Sequence, residues 1–220
     1  MMRRRVQPEL LDELPVDHPD ALHNRRDLRF FNALMGNPRW IEGALRRLAR
    51  RGDRFIELGA GEGDLGQRLR TKLWPGLPVP YSGIDLWPRP AGWPETWGWF
   101  QTDLTTYSGY GNYSVILGNL ILHQFHDDVL VELGRRWREH ARLLVFCEPA
   151  RRRLHLCQLP LARLARINHV SQHDARVSIE GGFQGRELAT LLGVNEPPWR
   201  VTVQHTFLGA YRFIAVREGA

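Results

Sequence analysis

The sequence predicts an α/β protein built on a mostly parallel sheet. Three observations carry this. Short apolar runs at 54–59, 80–86, 97–104, 113–119 and 142–149 alternate with helical patterns at 64–73, 127–140 and 185–193. The stretch 199–218 reads as two strands turning near Leu208–Gly209, so the last strand runs antiparallel. A glycine-rich turn, Gly59-Ala60-Gly61-Glu62-Gly63, follows the first apolar run and opens a helix. A chain of 220 residues is long enough for one such unit with a full core.

In chain order, "MMRRRVQPELLDEL" is basic and lacks an apolar h-region or a small-residue cleavage site, which predicts a frayed start to a cytoplasmic protein. Residues 22–36 place Leu28, Phe31, Leu34 and Met35 on one helical face. A second helix begins near Pro38, carries Ile41, Leu45 and Leu48, and stops at Gly52. These two form a helical cap, residues 1–50, ahead of the main domain, residues 51–220. In that domain "RFIELG" is a short buried strand, and "DLGQRLRTKL" is a helix with Asp64 at its start. "PYSGIDL", "WGWFQTDL" and "YSVILGN" are the next three strands, followed by the helix "DDVLVELGRRWREH" and the strand "RLLVFCEP". Residues 150–184 read as an irregular, lid-like region before the helix "GRELATLLG". One crossover lacks its helix: Pro88, Pro90 and Pro94 forbid one between Asp85 and Asp103. Trp87, Trp93, Trp97 and Trp99 are expected to plug the exposed sheet edge, with Trp87 nearest a ligand.

Composition narrows the function. The net charge is +6, and Lys72 is the only lysine. The arginines fall in scattered pairs on helical polar faces, a solvated pattern rather than a nucleic-acid surface. No apolar run reaches 18 residues, so no membrane-spanning helix is expected. Cys147 and Cys157 are ten apart with no C-x-x-C and no partnered histidine pair, which predicts two reduced, mostly buried thiols and neither metal site nor disulfide.

The glycine loop lies where ligands bind in a parallel sheet, beyond the C-terminal ends of the strands. A P-loop needs Gly-Lys-Ser/Thr, but Gly63 is followed by Asp64-Leu65. A dinucleotide fingerprint needs glycine at 59, 61 and 64, and position 64 is Asp. Glu57, Glu62 and Asp64 surround the loop, with no cation nearby in sequence until Arg68. Two like charges 4 Å apart cost about 4 kcal/mol at an effective dielectric of 20, so these acids repel a pyrophosphate and suit a cation. S-adenosylmethionine fits, having a sulfonium, an ammonium and no phosphate. Asp85, ending the second strand, is positioned for two ribose hydroxyls, and Asp103, ending the third, for an adenine amino group.

These residues resemble the class I S-adenosylmethionine-dependent methyltransferases of the small-molecule type, through "ELGAGEG", "GIDL", "TDL", "VILGNLILHQF" and "LGAYRFIAVRE", over about residues 54 to 217. The resemblance implies a Rossmann-like, seven-stranded sheet with the last strand inserted antiparallel. It implies that Glu57, Gly59, Ala60, Gly61 and Gly63 hold the methionine end. Asp85 and Leu86 would hold the ribose, Asp103 and Leu104 the adenine edge, and Asn119 would line the methyl-transfer site. The sequence lacks the Asn/Asp-Pro-Pro-Tyr/Phe motif used on amide and base nitrogens, which argues against adenine, cytosine and glutamine as targets. The expected reaction is methyl transfer to a small aromatic or polyketide-like acceptor, at oxygen. An RNA methyltransferase and a non-catalytic S-adenosylmethionine-binding partner protein are the alternatives.

A phenol or enol acceptor gains from a base, and histidine suits that role near neutral pH. His123, four residues past Asn119, is the first candidate. His173 is the second, in the polar segment 168–185 with His169, Asp174, Arg176 and Glu180. Phe30, Phe31, Met35 and Trp40 of the cap are divided between core packing and an acceptor pocket.

Overall fold

The computed structural model describes residues 2–15, 18–76, 78–162 and 167–219. Its centre is a seven-stranded sheet of β1 (Phe55–Leu58), β2 (Tyr81–Asp85), β3 (Gly98–Gln101), β4 (Val115–Asn119), β5 (Leu143–Pro149), β6 (Trp199–His205) and β7 (Ala210–Arg217). The order across the sheet is β3-β2-β1-β4-β5-β7-β6. Only β7 runs against its neighbours, as the closing hairpin predicts. The strand order switches at β1, which pairs in parallel with β2 on one side and β4 on the other, the point beyond whose strand ends sheets of this kind hold their ligands.

Among the described residues, eight α-helices cover the two faces: α1 (Leu10–Glu13), α2 (Pro19–Met35), α3 (Asn37–Leu48), α4 (Asp64–Lys72), α5 (Asp127–His140), α6 (Arg153–Ala162), α7 (His169–Gly181) and α8 (Glu187–Leu191). Strand residues alternate between two cores because successive side chains point to opposite faces. On one side Ile116, Leu144, Phe146 and Phe213 pack with Trp137 of α5 and Leu188 of α8. On the other, Leu117, Val145 and Ile214 pack with Ile41 and Leu45 of α3 and Leu69 of α4. At the N-terminal end of the sheet, buried Asp53 accepts from Ser114 Oγ at 2.8 Å and from Arg142 Nε at 2.8 Å, tying the starts of β1, β4 and β5 together. Burial opposes its charge, but the Arg142 guanidinium outweighs it and holds the Asp53 carboxyl below the usual range.

No helix forms between β2 and β3. Trp93 and Trp97 stack about Tyr81 at ring distances of 5.8 and 4.5 Å, and Trp99 packs edge-on against Trp93 at 5.0 Å. The aromatics fill the layer that a helix would occupy.

Three expectations are corrected. The N-terminal segment is not frayed. Arg4 donates to the carbonyls of Gly181 (2.7 Å) and Phe125 (2.7 Å), and Glu9 is buried against α7. The region 150–184 is not irregular: it forms α6 and α7. The buried positions of α7 are Val170, Ser171, Asp174, Val177 and Gly181, so its inner stripe is helical in spacing but only partly apolar. Cys157 is exposed, and only Cys147 is a buried thiol. Among the described residues no helix is long and apolar enough to cross a membrane, and no cluster of metal-binding side chains occurs.

Candidate functional site

The glycine loop joins β1 to α4 at the switch point. Gly59, Gly61 and Gly63 all have positive φ (61°, 52° and 80°), which L side chains adopt only with strain. Two of them are also sterically closed. A Cβ on Gly59 would lie 2.8 Å from Ile121, and one on Gly63 would lie 2.9 Å from the Trp93 ring. The loop is pinned to β2, because Gly59 N and Ala60 N donate to Ile84 O at 2.9 and 3.2 Å.

Asp85 is the hub. Its Oδ2 accepts from Gly61 N at 2.7 Å and its Oδ1 from Trp87 N at 2.9 Å. A carboxylate has about four acceptor positions, so each oxygen keeps capacity for a ligand hydroxyl. The same carboxylate therefore shapes the loop and faces the crevice above β2. Leu86 beside it is 69% exposed, a bare apolar surface at the strand end. Asp103 is exposed, and its Oδ1 accepts from Thr105 N and Thr105 Oγ1, both at 2.8 Å, in a local turn. Leu104 points into the core.

Glu57 turns away from the crevice, toward α4. It is buried, accepts from Tyr81 Oη at 2.7 Å, and lies near Gly66. Burial drives its pKa up to about 8, with the charges of Asp85 and Asp64 adding to the rise and the Tyr81 hydrogen bond opposing it. It is largely protonated at neutral pH and supports the loop from behind. A group raised in the folded state stabilises fully below its unfolded pKa and loses that contribution as pH rises through the folded value. Relative to Glu57→Gln, the wild-type protein should thus lose about 4–5 kcal/mol of stability between pH 4.5 and pH 9. Denaturant unfolding of both proteins across that range measures it, and a constant difference would contradict the burial argument.

The sequence places no cation near the loop, but the fold brings two. Arg29 Nη1 of α2 meets Glu62 Oε2 at 2.5 Å, and Arg25 Nε lies 3.7 Å from Glu62 Oε1. The Arg25 guanidinium also stacks on Trp87 at 4.9 Å. Further along α2, Asn32 Oδ1 accepts from Asn119 Nδ2 at 3.1 Å. The helix thus runs from the glycine loop to the end of β4. Separations of 33 to 87 residues hide these pairs from a reading of spacing alone.

Asn119 ends β4 and is followed by Leu120 at φ 60°, a costly backbone for a residue other than glycine. The turn beyond it delivers His123 to the opposite face of the sheet. There Nδ1 donates to Glu148 Oε2 at 2.8 Å and Nε2 to Glu9 Oε1 at 3.3 Å. Burial by itself would lower the pKa of this imidazole, but the hydrogen bonds and charges of the two carboxylates outweigh it and raise it to about 9. Both nitrogens of His123 are thus engaged by buried carboxylates, Glu148 and Glu9. His173 is exposed on α7. Its Nδ1 lies 3.1 Å from Asp174 Oδ1. Asp174 in turn accepts from Leu10 N, Leu11 N and Asn24 Nδ2, so His173 borders the packing of α1 and α2 and does not converge with the glycine loop.

No protein-family model matches the chain, and no curated protein matches it by sequence. Solved structures match it across nearly its whole length. It is similar to the plantazolicin methyltransferase BpumL in complex with SAH, with a TM-score of 0.72 and 10% identity over 94% of this chain and 92% of that one. It is similar to the plantazolicin methyltransferase BamL bound to a triazolic analog and SAH, with a TM-score of 0.69 and 8% identity over 94% and 92% of the two chains. It is also similar to the magnesium protoporphyrin IX methyltransferase ChlM of Synechocystis PCC 6803 with bound SAH, with a TM-score of 0.58 and 15% identity over 88% and 86%. The chain shares the fold of these methyltransferases.

Proposed function

We propose that this protein binds S-adenosylmethionine in the crevice above β1, β2 and β4 and methylates a small molecule there. The observation that carries the reading is the Asp85 carboxylate, fixed by Gly61 N and Trp87 N beside three positive-φ glycines at the switch point. The residues fit the group. Asp85 has lone pairs left for two ribose hydroxyls, and Gly59, Gly61 and Gly63 offer backbone without side chains, while the charge of Glu62 at the rim is paired with Arg25 and Arg29. The similar structures solved with SAH support the same assignment.

The cofactor supplies an electrophilic methyl group on a sulfonium. What remains for the protein is to orient the acceptor, exclude water and favour the nucleophilic form of its atom. The α2 helix provides exclusion: its Arg25, Arg29 and Asn32 reach from the glycine loop to the end of β4. Asn119 lines the methyl-transfer side, and Leu86 and Trp87 flank the ribose and base. Oxygen of an aromatic or polyketide-like molecule is the preferred acceptor atom, since the β4 motif lacks the signature of amide and base methylation.

Calorimetry with S-adenosylhomocysteine tests the reading. Saturable binding is expected, with no comparable binding of NAD or ATP. A nicotinamide dinucleotide or nucleoside triphosphate bound in preference would overturn it.

A further inference from the structure

The turn after β4 is held from two sides. On the inner side the fully buried Glu148 carboxylate accepts from Ile121 N (3.2 Å), Leu122 N (2.9 Å) and His123 N (3.2 Å). On the outer side the N-terminal segment supplies the contacts. Arg4 Nη2 donates to the carbonyls of His123 (3.2 Å) and Phe125 (2.7 Å), and its Nε donates to Gly181 O (2.7 Å). Its guanidinium lies 4.7 Å from the Phe183 ring centre. Glu9 Oε1 meets His123 Nε2 at 3.3 Å and accepts from Ser178 Oγ at 2.6 Å. Carbonyls at the end of so short a turn have no partner within it, and a rigid guanidinium fork that collects two of them fixes the turn as a unit.

The same turn bears on the glycine loop. A Cβ on Gly59 would lie 2.8 Å from Ile121, and one on Gly118 of β4 would lie 2.9 Å from it, so the Ile121 side chain is seated against both backbones. Leu120, one residue earlier, has φ 60°, a conformation that persists only where the surroundings over-determine it. Arg4 and Glu9 belong to those surroundings. Contacts therefore run unbroken from the segment to the turn, through Ile121, to Gly59.

The segment itself is lightly anchored. Arg5 N donates to Glu180 O at 3.1 Å, and Leu10 N and Leu11 N donate to the Asp174 carboxylate at 2.8 and 3.2 Å. Between these anchors Val6 lines two hollows of about 400 and 250 Å³, so the chain bridges open space there. Such an element opens locally at less cost than the sheet beneath it. We propose that the N-terminal segment is a positioning element of the cofactor site: docked through Arg4 and Glu9, it holds the turn that seats Ile121 against Gly59, and cofactor binding favours the docked segment in return. The reciprocity is obligatory, because two coupled equilibria shift each other by the same factor. The assignment rests on the methyltransferase reading and extends it to a part of the chain beyond the strand ends.

Hydrogen exchange on the wild-type protein tests it without a substitution. Saturating S-adenosylhomocysteine should slow exchange at Arg5 N, Leu10 N and Leu11 N by at least about fivefold. Glu218 N, which donates to Pro198 O at the opposite end of the sheet, should change by less than about twofold. By calorimetry, Arg4→Gln should weaken S-adenosylhomocysteine binding by at least about fivefold, and Arg4→Lys, which keeps the charge, should fall between it and wild type. Ile121→Ala cuts the link, so on that background Arg4→Gln should cost less than about twofold in affinity. Unchanged exchange at the three segment amides overturns the proposal, and so does equal slowing at Glu218 N, which is general stabilisation by ligand. Wild-type affinity in Arg4→Gln, or the same loss with and without Ile121, overturns it as well. A wild-type protein that binds no S-adenosylhomocysteine removes the methyltransferase reading and this proposal with it.

Discussion

Asp85→Ala should weaken S-adenosylhomocysteine binding at least tenfold, or about 1.4 kcal/mol. Two losses add. The two ribose hydroxyls lose a charged acceptor, and such hydrogen bonds contribute roughly 1.5–3 kcal/mol each. The loop also loses its anchor, because Gly61 N and Trp87 N no longer share one carboxylate at 2.7 and 2.9 Å. The expected affinity loss is therefore larger than that of a residue which only touches ligand. Asp85→Asn separates the terms: its carbonyl oxygen can keep one backbone contact while the charge is gone. It should fall between wild type and Asp85→Ala. Calorimetry on all three proteins decides it, and an unchanged affinity in Asp85→Ala would remove Asp85 from the site.

Which features were legible follows from the range of the interactions that make them. The glycine loop, the strand-end acids and the missing helix after β2 are local signals, set by backbone freedom or by proline within a few residues, and the sequence displays them. The reversed β7 follows from a hairpin, also local. The role of α7 was hidden because Ser171 and Asp174 occupy its buried stripe, where they bond to Asp27, Leu10 and Asn24. A polar residue in such a stripe reads as solvated until its partners, about 140 to 160 positions away, are known. Arg25 and Arg29 over Glu62 were invisible for the same reason, and so was Glu9 beneath α7. At Glu57 the sequence shows a carboxylate by a glycine loop, but only the packing of α4 and Tyr81 turns it inward and makes it a weak acid.

His123→Ala should cost about 3–5 kcal/mol of folding stability, because it removes the cation from between two buried carboxylates. Glu148 is completely buried and accepts from Ile121 N, Leu122 N and His123 N as well as from the ring, so it cannot move to water. Glu9 is brought to the ring by the N-terminal segment and shares its burial. Burial opposes the charge of Glu9, yet the hydrogen bond from His123 leads a group of contacts that holds its carboxyl below the usual range. The pH dependence has a definite sign. His123 is raised from 6.5 to about 9, so its contribution is complete below pH 6.5 and drains as pH rises through 9. Glu9 is depressed, so its contribution is present above 4.5 and is lost as pH falls through its lowered value. The difference between wild type and His123→Ala should accordingly be greatest near pH 5 to 7 and narrow on both sides. Taking the difference at each pH cancels the separate alkaline loss caused by Glu57. A catalytic base predicts another outcome, with turnover reduced and unfolding unchanged. Urea unfolding of the two proteins at pH 4, 6 and 9 separates the roles: a difference under about 1 kcal/mol at pH 6 would return His123 to the reaction, and a larger one that shrinks toward both extremes assigns it to the clasp between the N-terminal segment and the end of β5.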